Sequence, residues 1–330
     1  MNKFSAKMLC VGALVSALTV VLVLAGTYVP LLNLFAIFIC GLPLCCLLIR
    51  CGVKITAVSL AAAVLVLFIL TGNVLSAGLN ACVVLLPGIA AGLAISKNYG
   101  FYKSLLLTAL AVLIGAALSV MVVNIFSGSE SGIADMLDAA IDSMKSSMEP
   151  MLEEAGNASG TDLTEAVNTV LAQIKTTVLS YFPSMMIIYS VIVGYLVYAA
   201  SVFFVRRLRV KGCAYLPFNM ITVPRSMSFV LVLLMLVTMF SESTSWIMLI
   251  LKNASAVLSF LLAADGLSLL DFGLSRKIKS GYARFGIYAA VFVIGYFLIS
   301  VIFYVLMLVG MIDSGRNIRM IKRAGGDDEN

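Results

Sequence analysis

A late apolar run of this sequence contains polar side chains whose types and spacing could do chemistry. The segment 251–277, LKNASAVLSFLLAADGLSLLDFGLSRK, is typical of a membrane-crossing helix, yet it includes Asn253, Asp265 and Asp271. Asp265 lies 11 residues before Arg276, which is roughly 16 Å along a helix and places it near the middle of a bilayer. A charged side chain there costs at least about 2.5–3.5 kcal/mol. We therefore expect Asp265 to be neutral, paired or facing a wet cavity.

Two interpretations of Asp265 are open. In the functional one, it belongs to a site for a proton, a cation or an amine substrate. In the structural one, it is a neutral acid hydrogen-bonded to a Ser, Thr or Tyr of a neighbouring helix. Asp271 is five residues from Arg276, so pairing at the membrane interface is expected. Asn253 is expected to bond to the backbone of an adjacent helix.

Other polar or helix-breaking residues occur in earlier apolar runs. Asn73, Asn80 and Asn124 fall on the outer halves of the third to fifth runs, where they could form the polar wall of an outward-open pocket. Pro43 and Pro87 interrupt the second and fourth runs, and a proline frees a backbone carbonyl that must find a partner in lipid. The two prolines predict either structural kinks or broken spans of the kind that line transporter cavities.

The residues that common catalytic and metal sites require are missing from the sequence. It has no histidine, which excludes Ser-His-Asp triads and HExxH metal sites. It also lacks GxSxG, Walker A and GxGD patterns, and its seven cysteines fit no zinc spacing. Asp265 and Asp271 lie six residues apart, about 600° around a helix, so they do not form a catalytic dyad. We expect no enzyme activity, no cofactor and no metal.

The composition places these residues in a membrane protein. Of the 330 residues, 62% are hydrophobic and 12% are charged, whereas soluble domains have about 45–50% and 25%. The mean hydropathy is +1.10. The net charge of +6 comes from short basic clusters between apolar runs, which is typical of cytoplasmic loops and not of nucleic-acid binding. The lipid bilayer is therefore the expected partner, and nucleic acid is not.

Continuous apolar runs predict an all-α, polytopic transmembrane helix bundle of about nine spans. The first run follows Lys3 and Lys7 and is longer than a signal-peptide core, which predicts an uncleaved span with a cytoplasmic N-terminus. Most basic residues then fall in inside loops, but nine spans leave the basic tail outside. A re-entrant 226–243 would return the tail inside and leave eight. The predicted runs are 8–29, 31–49, 55–71, 74–95, 104–126, 178–205, 226–243, 246–272 and 285–311.

The sizeable polar region is an acidic segment between the fifth and sixth spans. Within 127–177, apolar residues recur at helical spacing while acidic residues take the other face, which predicts an extracytoplasmic, amphipathic helical insert. Membrane-surface helices usually carry Lys and Arg instead of acids. Three roles are open for this insert: a structural cap over the bundle, a lid that gates an outward-facing cavity, and a docking site for another protein.

Several stretches resemble a known family of bacterial membrane proteins. ALVSALTVVLVLAGTYVPLLNLFAIFICGLPLCCLLIRCGVKITAV is similar to the opening of the YybS-like family, with Tyr28 and Pro30 in a turn, an internal Pro43, and Arg50 with Gly52 in a loop. Three later stretches also resemble that family. They are YLPFNMITVPRSM, the Asn253-to-Gly266 helix, and VGMIDSGRNIRMIKR with Gly310, Asp313 and Arg319.

The resemblance implies a layout but no activity, because the family is of unknown function. It is similar to the substrate-binding S-components of energy-coupling-factor vitamin transporters, which have six helices. On that basis 1–126 and 178–205 would form an S-component-like bundle, 127–177 the insert, and 206–330 a basic loop with further spans and a polar tail. Ala13 and Ala17 would be the small residues that dock a coupling subunit.

Two functions follow from the sequence. The first is a small-molecule binding or transport subunit of the bacterial cytoplasmic (inner) membrane that lacks its own ATPase and needs a coupling subunit. The second is a non-transporting scaffold or signalling partner that uses the acidic hairpin as a docking surface. A ligand-sized polar cavity reaching Asp265 would favour transport, whereas an Asp265 satisfied between helices would favour the scaffold.

Overall fold

The computed structural model describes residues 6–72, 75, 78–79, 81–127, 133–159, 164–208, 215–240, 245–316 and 319. These residues are helical, joined by short loops and turns, and contain no β-strand. The helices are α1 (Ala6–Tyr28), α2 (Pro30–Ile39), α3 (Leu42–Cys51), α4 (Val53–Thr71), α5 (Leu86–Ser96), α6 (Phe101–Ser127), α7 (Ile133–Ser159), α8 (Thr164–Arg207), α9 (Arg225–Phe240), α10 (Trp246–Lys277), α11 (Gly281–Ile294) and α12 (Ile299–Arg316).

The described part of the chain has 6 helices long and apolar enough to cross a membrane: α1, α4, α6, α8, α10 and α12. Shorter apolar helices cover Phe35–Cys51, Cys82–Ser96 and Arg225–Thr238. The membrane-helix class is therefore as the sequence predicts, whereas the count of nine spans stays a prediction.

Three predicted runs are not continuous helices. The second is divided between α2 and α3 at Cys40 and Gly41, and the fourth contains a π-helical turn, Ala81–Leu85, before α5. Pro43 and Pro87 lie in the first turns of α3 and α5, where the missing N–H of proline breaks no hydrogen bond. The last run is interrupted at Gly295, where a 3₁₀ turn separates α11 from α12.

The chain divides into two compact units. Unit 1 comprises Met1–Phe182 and Tyr189–Tyr215, and unit 2 comprises Pro183–Ile188 and Leu216–Asn330. The domain assignment made from the family resemblance stays a prediction.

Small residues bring two pairs of helices in unit 1 close together. Gly12 of α1 faces Ser59 of α4, and Ser16 donates a hydrogen bond to the Ser59 carbonyl at 2.8 Å. In the same way a Cβ on Gly41 would lie 2.9 Å from the Cα of Gly88, at the contact between α3 and α5. Such approaches maximise van der Waals contact where lipid removes the hydrophobic driving force.

The helix directions in unit 1 bring seven of its basic residues to one end. α1 and α4 run parallel, because Gly12 lies near Ile55 while Val23 shares a core with Leu67. α3 and α5 are also parallel, since Gly41 contacts Gly88 and Cys45 contacts Gly92. α6 and α8 are antiparallel, because Phe101 stacks on Tyr198 while Ala109 faces Gly194. The resulting basic end of unit 1 carries Lys7, Arg50, Lys54, Lys97, Lys103, Arg206 and Arg207.

A glycine crossing joins α10 and α12 in unit 2. A Cβ on Gly266 would overlap the Leu306 carbonyl and lie 3.0 Å from the Gly310 nitrogen, and a Cβ on Gly310 would overlap the Leu262 carbonyl. Leu262 and Leu306 share a buried core with Leu231 of α9. Ser314, near the end of α12, contacts Ser228 in the first turn of α9, and Ser268 of α10 and Arg319 after α12 both bind the Ile221 carbonyl just before α9. Beyond the glycine crossing both helices therefore run toward the start of α9, so α10 and α12 are parallel.

The predicted run 285–311 is divided into two helices, and the parallel packing of α10 and α12 shows how they are arranged. Two successive spans joined by a short loop are antiparallel, so α11 must first run back along α10. Its Tyr288 hydrogen-bonds Asp271, six residues before the end of α10, as such a return requires. α11 ends at Gly295, where a Cβ would lie 2.5 Å from Cδ1 of Ile302, so the missing side chain makes room for α12 to fold back. The ends of α10 and α12, with Arg276 and Arg316, therefore lie at the same end of unit 2.

The acidic segment contains α7 and about the first third of α8. Asp135 and Asp142 are exposed on α7, whereas Ile141 is 8% exposed. Lys175 of α8 forms an ion pair with Asp138 of α7. The position of this hairpin as an insert outside the membrane stays a prediction.

Candidate functional site

The three polar residues singled out on α10 are all buried, but they face different groups. Asp265 is 1% exposed, Asp271 8% and Asn253 9%. Each has its own hydrogen-bonding partners on a different element of unit 2. They therefore form three local sites instead of one shared pocket.

Asp265 is held in an ion pair with Arg319. The Arg319 Nη2 donates to Oδ1 of Asp265 at 2.8 Å and to its backbone carbonyl at 3.1 Å. The Arg319 Nε donates to Oδ2 of Asp313, on α12, at 2.9 Å. The exposed fractions of the three side chains are 0% for Asp265, 2% for Asp313 and 5% for Arg319. We call these three residues, with Ser268, the arginine cluster.

The remaining guanidinium nitrogen binds a loop, residues 216–224, that contains the 3₁₀ turn Phe218–Met220. The Arg319 Nη1 donates to the carbonyls of Asn219 at 3.0 Å and Ile221 at 2.7 Å, and to the Ser268 hydroxyl at 2.9 Å. Ser268 in turn donates to the carbonyls of Phe218 and Ile221. Irregular backbone at membrane depth must find such partners within the protein. The arginine cluster therefore fixes this loop against α10 and α12.

The charges of the arginine cluster do not balance. Two carboxylates face one guanidinium, so the three charged groups leave one negative charge in excess. The Oδ2 of Asp265 makes no hydrogen bond of standard geometry within the described residues, and the backbone amide of Val223 provides a weaker favourable interaction.

Asn253 joins α10 to a break in α8. Its Oδ1 accepts a hydrogen bond from the Ser184 backbone N–H at 2.9 Å, and its Nδ2 donates to the Leu249 carbonyl at 2.9 Å. Pro183 lies inside α8, and a proline there displaces the local backbone hydrogen bonds. Asn253 thus satisfies a backbone group at the proline, as the sequence predicts for an amide in lipid.

Asp271 is paired with α11. Its Oδ1 lies 3.1 Å from Nη1 of Arg284 and accepts a hydrogen bond from the Tyr288 hydroxyl at 3.1 Å. Arg276, the nearest basic residue in sequence, lies with its guanidinium 5.1 Å from the centre of the Phe272 ring. An open groove of about 500 Å³ lies beside this pair, lined by Leu269, Leu270, Phe272, Gly273, Leu274, Lys277 and Tyr288.

The other predicted site residues lie elsewhere. Ala13 and Ala17 are exposed on α1, beside the buried Gly12 and Ser16 that contact α4. Asn73 and Asn80 and the side chain of Asn124 lie outside the described residues. Pro43 and Pro87 begin α3 and α5, as described above. Within the described ranges, no group of three side chains suits a metal ion.

The sequence does not identify Arg319 as the partner of Asp265, Ser268 and the loop carbonyls as partners of Arg319, or Arg284 as the partner of Asp271. One signal was present, because an acid within an apolar helix requires a counter-charge and Arg319 stands after the last helix near Asp313. Nothing in the sequence showed that the 216–224 loop reaches the same depth, because that contact joins segments about fifty residues apart in sequence.

The long apolar helices and the polar groups satisfied inside the protein define a multi-pass membrane protein of the α-helical class. The chain belongs to a family described as predicted membrane protein (DUF2232), whose profile matches residues 17–314. Asp265 and Asp313 fall within this match, and Arg319 lies just beyond it. No curated protein and no solved structure gives a significant match to the chain.

Proposed function

We propose that this protein is a non-enzymatic scaffold of a membrane complex, which holds a partner protein at the bilayer. The observation that carries the proposal is the state of Asp265. A transport role needs this acid to face a wet cavity, but it is 1% exposed and paired with Arg319. A closed ion cluster that binds a loop is suited to holding one conformation and not to exchanging a ligand.

The grooves near this region also favour a scaffold. The groove beside Tyr288 and the groove beside Arg206 are lined by residues other than those of the arginine cluster. Ligand sites usually combine a concave apolar wall with a few polar groups that converge on the ligand. In the arginine cluster the converging polar groups already bind one another.

The acidic hairpin is the proposed docking surface. α7 exposes Asp135 and Asp142, and the Asp138–Lys175 pair holds it to α8. An exposed acidic face attracts a partner with a basic segment and increases the rate of association. The hairpin begins where α6 ends, at the end of unit 1 opposite its basic end. We therefore place the docking surface on the extracytoplasmic side of the bacterial cytoplasmic membrane.

Each unit, taken by itself, has a basic end. Seven basic residues of unit 1 share one end, and Arg225, Arg276 and Arg316 share one end of unit 2. If α11 and α12 cross separately, the predicted nine spans become ten. The basic tail then returns to the cytoplasm, in agreement with the positive-inside rule.

The second candidate function is a small-molecule binding or transport subunit resembling an S-component. Two observations favour it. Ala13 and Ala17 remain exposed on α1, where a coupling subunit could dock. In addition, the broken second and fourth runs place the starts of α3 and α5 side by side at Gly41 and Gly88.

Purification of the tagged protein from its own membrane in mild detergent, followed by mass spectrometry of proteins and small molecules, separates these functions. A scaffold recovers a signalling or envelope protein, and the Asp135→Asn/Asp142→Asn variant recovers less of it. The Ser143→Ala/Ser147→Ala variant changes the same exposed helix without changing its charge and serves as the control. Recovery of a coupling subunit with ATPases, or of a vitamin-like compound, would overturn the scaffold proposal.

A further inference from the structure

A groove at the basic end of unit 1 has features of an anion site that neither function uses. It has a volume of about 340 Å³ and is lined by Ala199, Val202, Phe203, Arg206, Arg207 and Tyr215. Two guanidinium groups, two aromatic rings and two small apolar side chains thus meet at the end of α8. No described residue that lines it is acidic.

The two arginines are oriented by aromatic rings. The guanidinium carbon of Arg206 lies 5.4 Å from the centre of the Tyr215 ring, and that of Arg207 lies 4.8 Å from the centre of the Phe203 ring. Stacking on a ring holds a guanidinium through its face. The N–H groups at its edge can then donate to an oxygen anion, for which a planar guanidinium is suited.

The position of the groove, beside an apolar helix surface, indicates which class of anion it would bind. α8 is apolar over its last turns before Arg206, and Val202 is 1% exposed while Phe203 is 56% exposed. The groove therefore joins a charged rim to an apolar helix surface. It lies at the end of unit 1 that also carries Lys54, Lys97 and Lys103. Basic pockets of this kind beside membrane helices bind anionic lipid headgroups.

We propose that the groove of Arg206, Arg207, Phe203 and Tyr215 binds the phosphate of an anionic phospholipid headgroup, with an acyl chain along Ala199 and Phe203. The same phosphate chemistry would suit a soluble phosphate, but the apolar wall favours the lipid. This site is separate from the arginine cluster and does not depend on whether the protein is a scaffold or a transport subunit.

Native mass spectrometry of the detergent-purified full chain, titrated with phosphatidylglycerol or phosphatidylcholine, tests the proposal. We expect preferential retention of phosphatidylglycerol. One arginine near a membrane surface corresponds to about a five-fold change in binding, so Arg206→Gln/Arg207→Gln is expected to reduce this retention at least about ten-fold. Lys54→Gln, an exposed charge removal at the same end of unit 1, is expected to leave it unchanged.

A groove-filling variant and a competition with inorganic phosphate complete the experiment. Ala199→Trp retains both charges but fills the groove, so it is also expected to reduce retention, and unchanged size-exclusion elution shows that each variant is folded. Equal loss in Lys54→Gln, or no loss in the arginine variant, would overturn the site, because general surface charge would then account for the binding. Displacement of the lipid by inorganic phosphate alone would overturn the lipid assignment.

Discussion

Units 1 and 2 differ in how they satisfy their buried polar groups. In the described part of unit 1, the buried polar side chains are serines and threonines and none is charged. Many of these hydroxyls donate to a carbonyl four residues earlier in their own helix, as Thr19 does to Val15 and Thr108 to Ser104. Unit 2 instead buries Asp265, Asp271 and Asp313 with arginine partners.

The difference follows from the backbone. A helix satisfies its own N–H and C=O groups, so helices in lipid need only close packing, and unit 1 provides this with Gly41, Gly88 and Gly12. Unit 2 contains the 216–224 loop, whose carbonyls require donors because its one 3₁₀ turn leaves them outside an α-helix. Arg319 and Ser268 supply those donors, and the two aspartates pair with the arginine. The buried charge of the arginine cluster therefore lies where the chain leaves the α-helical conformation.

The largest effect is expected from removing the centre of the arginine cluster. Arg319→Met preserves much of the side-chain volume but leaves two buried carboxylates without a counter-charge, which we expect to destabilise unit 2 by about 3–5 kcal/mol. Thermal unfolding in mild detergent measures the change. Arg316→Met, at an exposed position nearby, is the control, and equal stabilities of the two variants would contradict the role of Arg319.

A smaller effect is expected at the glycine crossing. Gly266→Ala would place a Cβ against the Leu306 carbonyl, so α10 and α12 must separate, and we expect a loss of about 1–3 kcal/mol. Gly273→Ala on the same helix has no atom within 4 Å of the added Cβ and is the matched control. Gly88→Ala tests the equivalent contact of unit 1. If Gly266→Ala and Gly273→Ala melt at the same temperature, the crossing is not as close as described.

Replacement of the interhelical amide is expected to have a moderate effect. Asn253→Leu removes the acceptor of the Ser184 N–H and should cost about 1–3 kcal/mol, the usual penalty for an unsatisfied buried donor. In a Pro183→Ala background the helix can restore its own hydrogen bonds, so the same replacement should cost less. A double-mutant cycle measures this coupling, and strictly additive effects would show that Asn253 does not serve the proline break.

The smallest effect is expected at the surface of the acidic hairpin. Lys175→Gln removes an ion pair whose side chains are 34% and 46% exposed, so we expect about 0–1 kcal/mol. The expected change should also decrease as salt is added. A loss comparable to that of Arg319→Met would mean that the pair is buried in the membrane-bound protein.

The sequence predicts the helical membrane class because continuous apolar runs have no other stable structure in lipid. It also points to Asp265 as exceptional, since an acid at that depth needs a specific environment. Periodicity cannot show that the 285–311 run folds back at Gly295, because both α11 and α12 are apolar. Nor can it identify Arg319 as the partner of Asp265, because the residues are 54 positions apart and the contact depends on how α12 packs.

The proline positions show a similar limit. Pro43 and Pro87 were recognised as interruptions, but a proline within an apolar run is compatible with a kink or with a new helix start. Both prolines lie in the first turn of a helix. α3 follows a turn at Gly41, and α5 follows the π-helical turn Ala81–Leu85. The choice was made by the packing of Gly41 against Gly88, which joins two separate runs.

The central claim is that Asp265 and Arg319 form a closed pair, and a double-mutant cycle tests it most directly. Asp265→Asn, Arg319→Gln and the double variant would be compared by thermal unfolding in mild detergent. We predict that the double variant is considerably less destabilised than the sum of the single variants, because each single change leaves one partner buried without its counter-charge. Additive effects, together with a stable and soluble Asp265→Asn protein, would contradict the pairing and return Asp265 to consideration as an open ligand site.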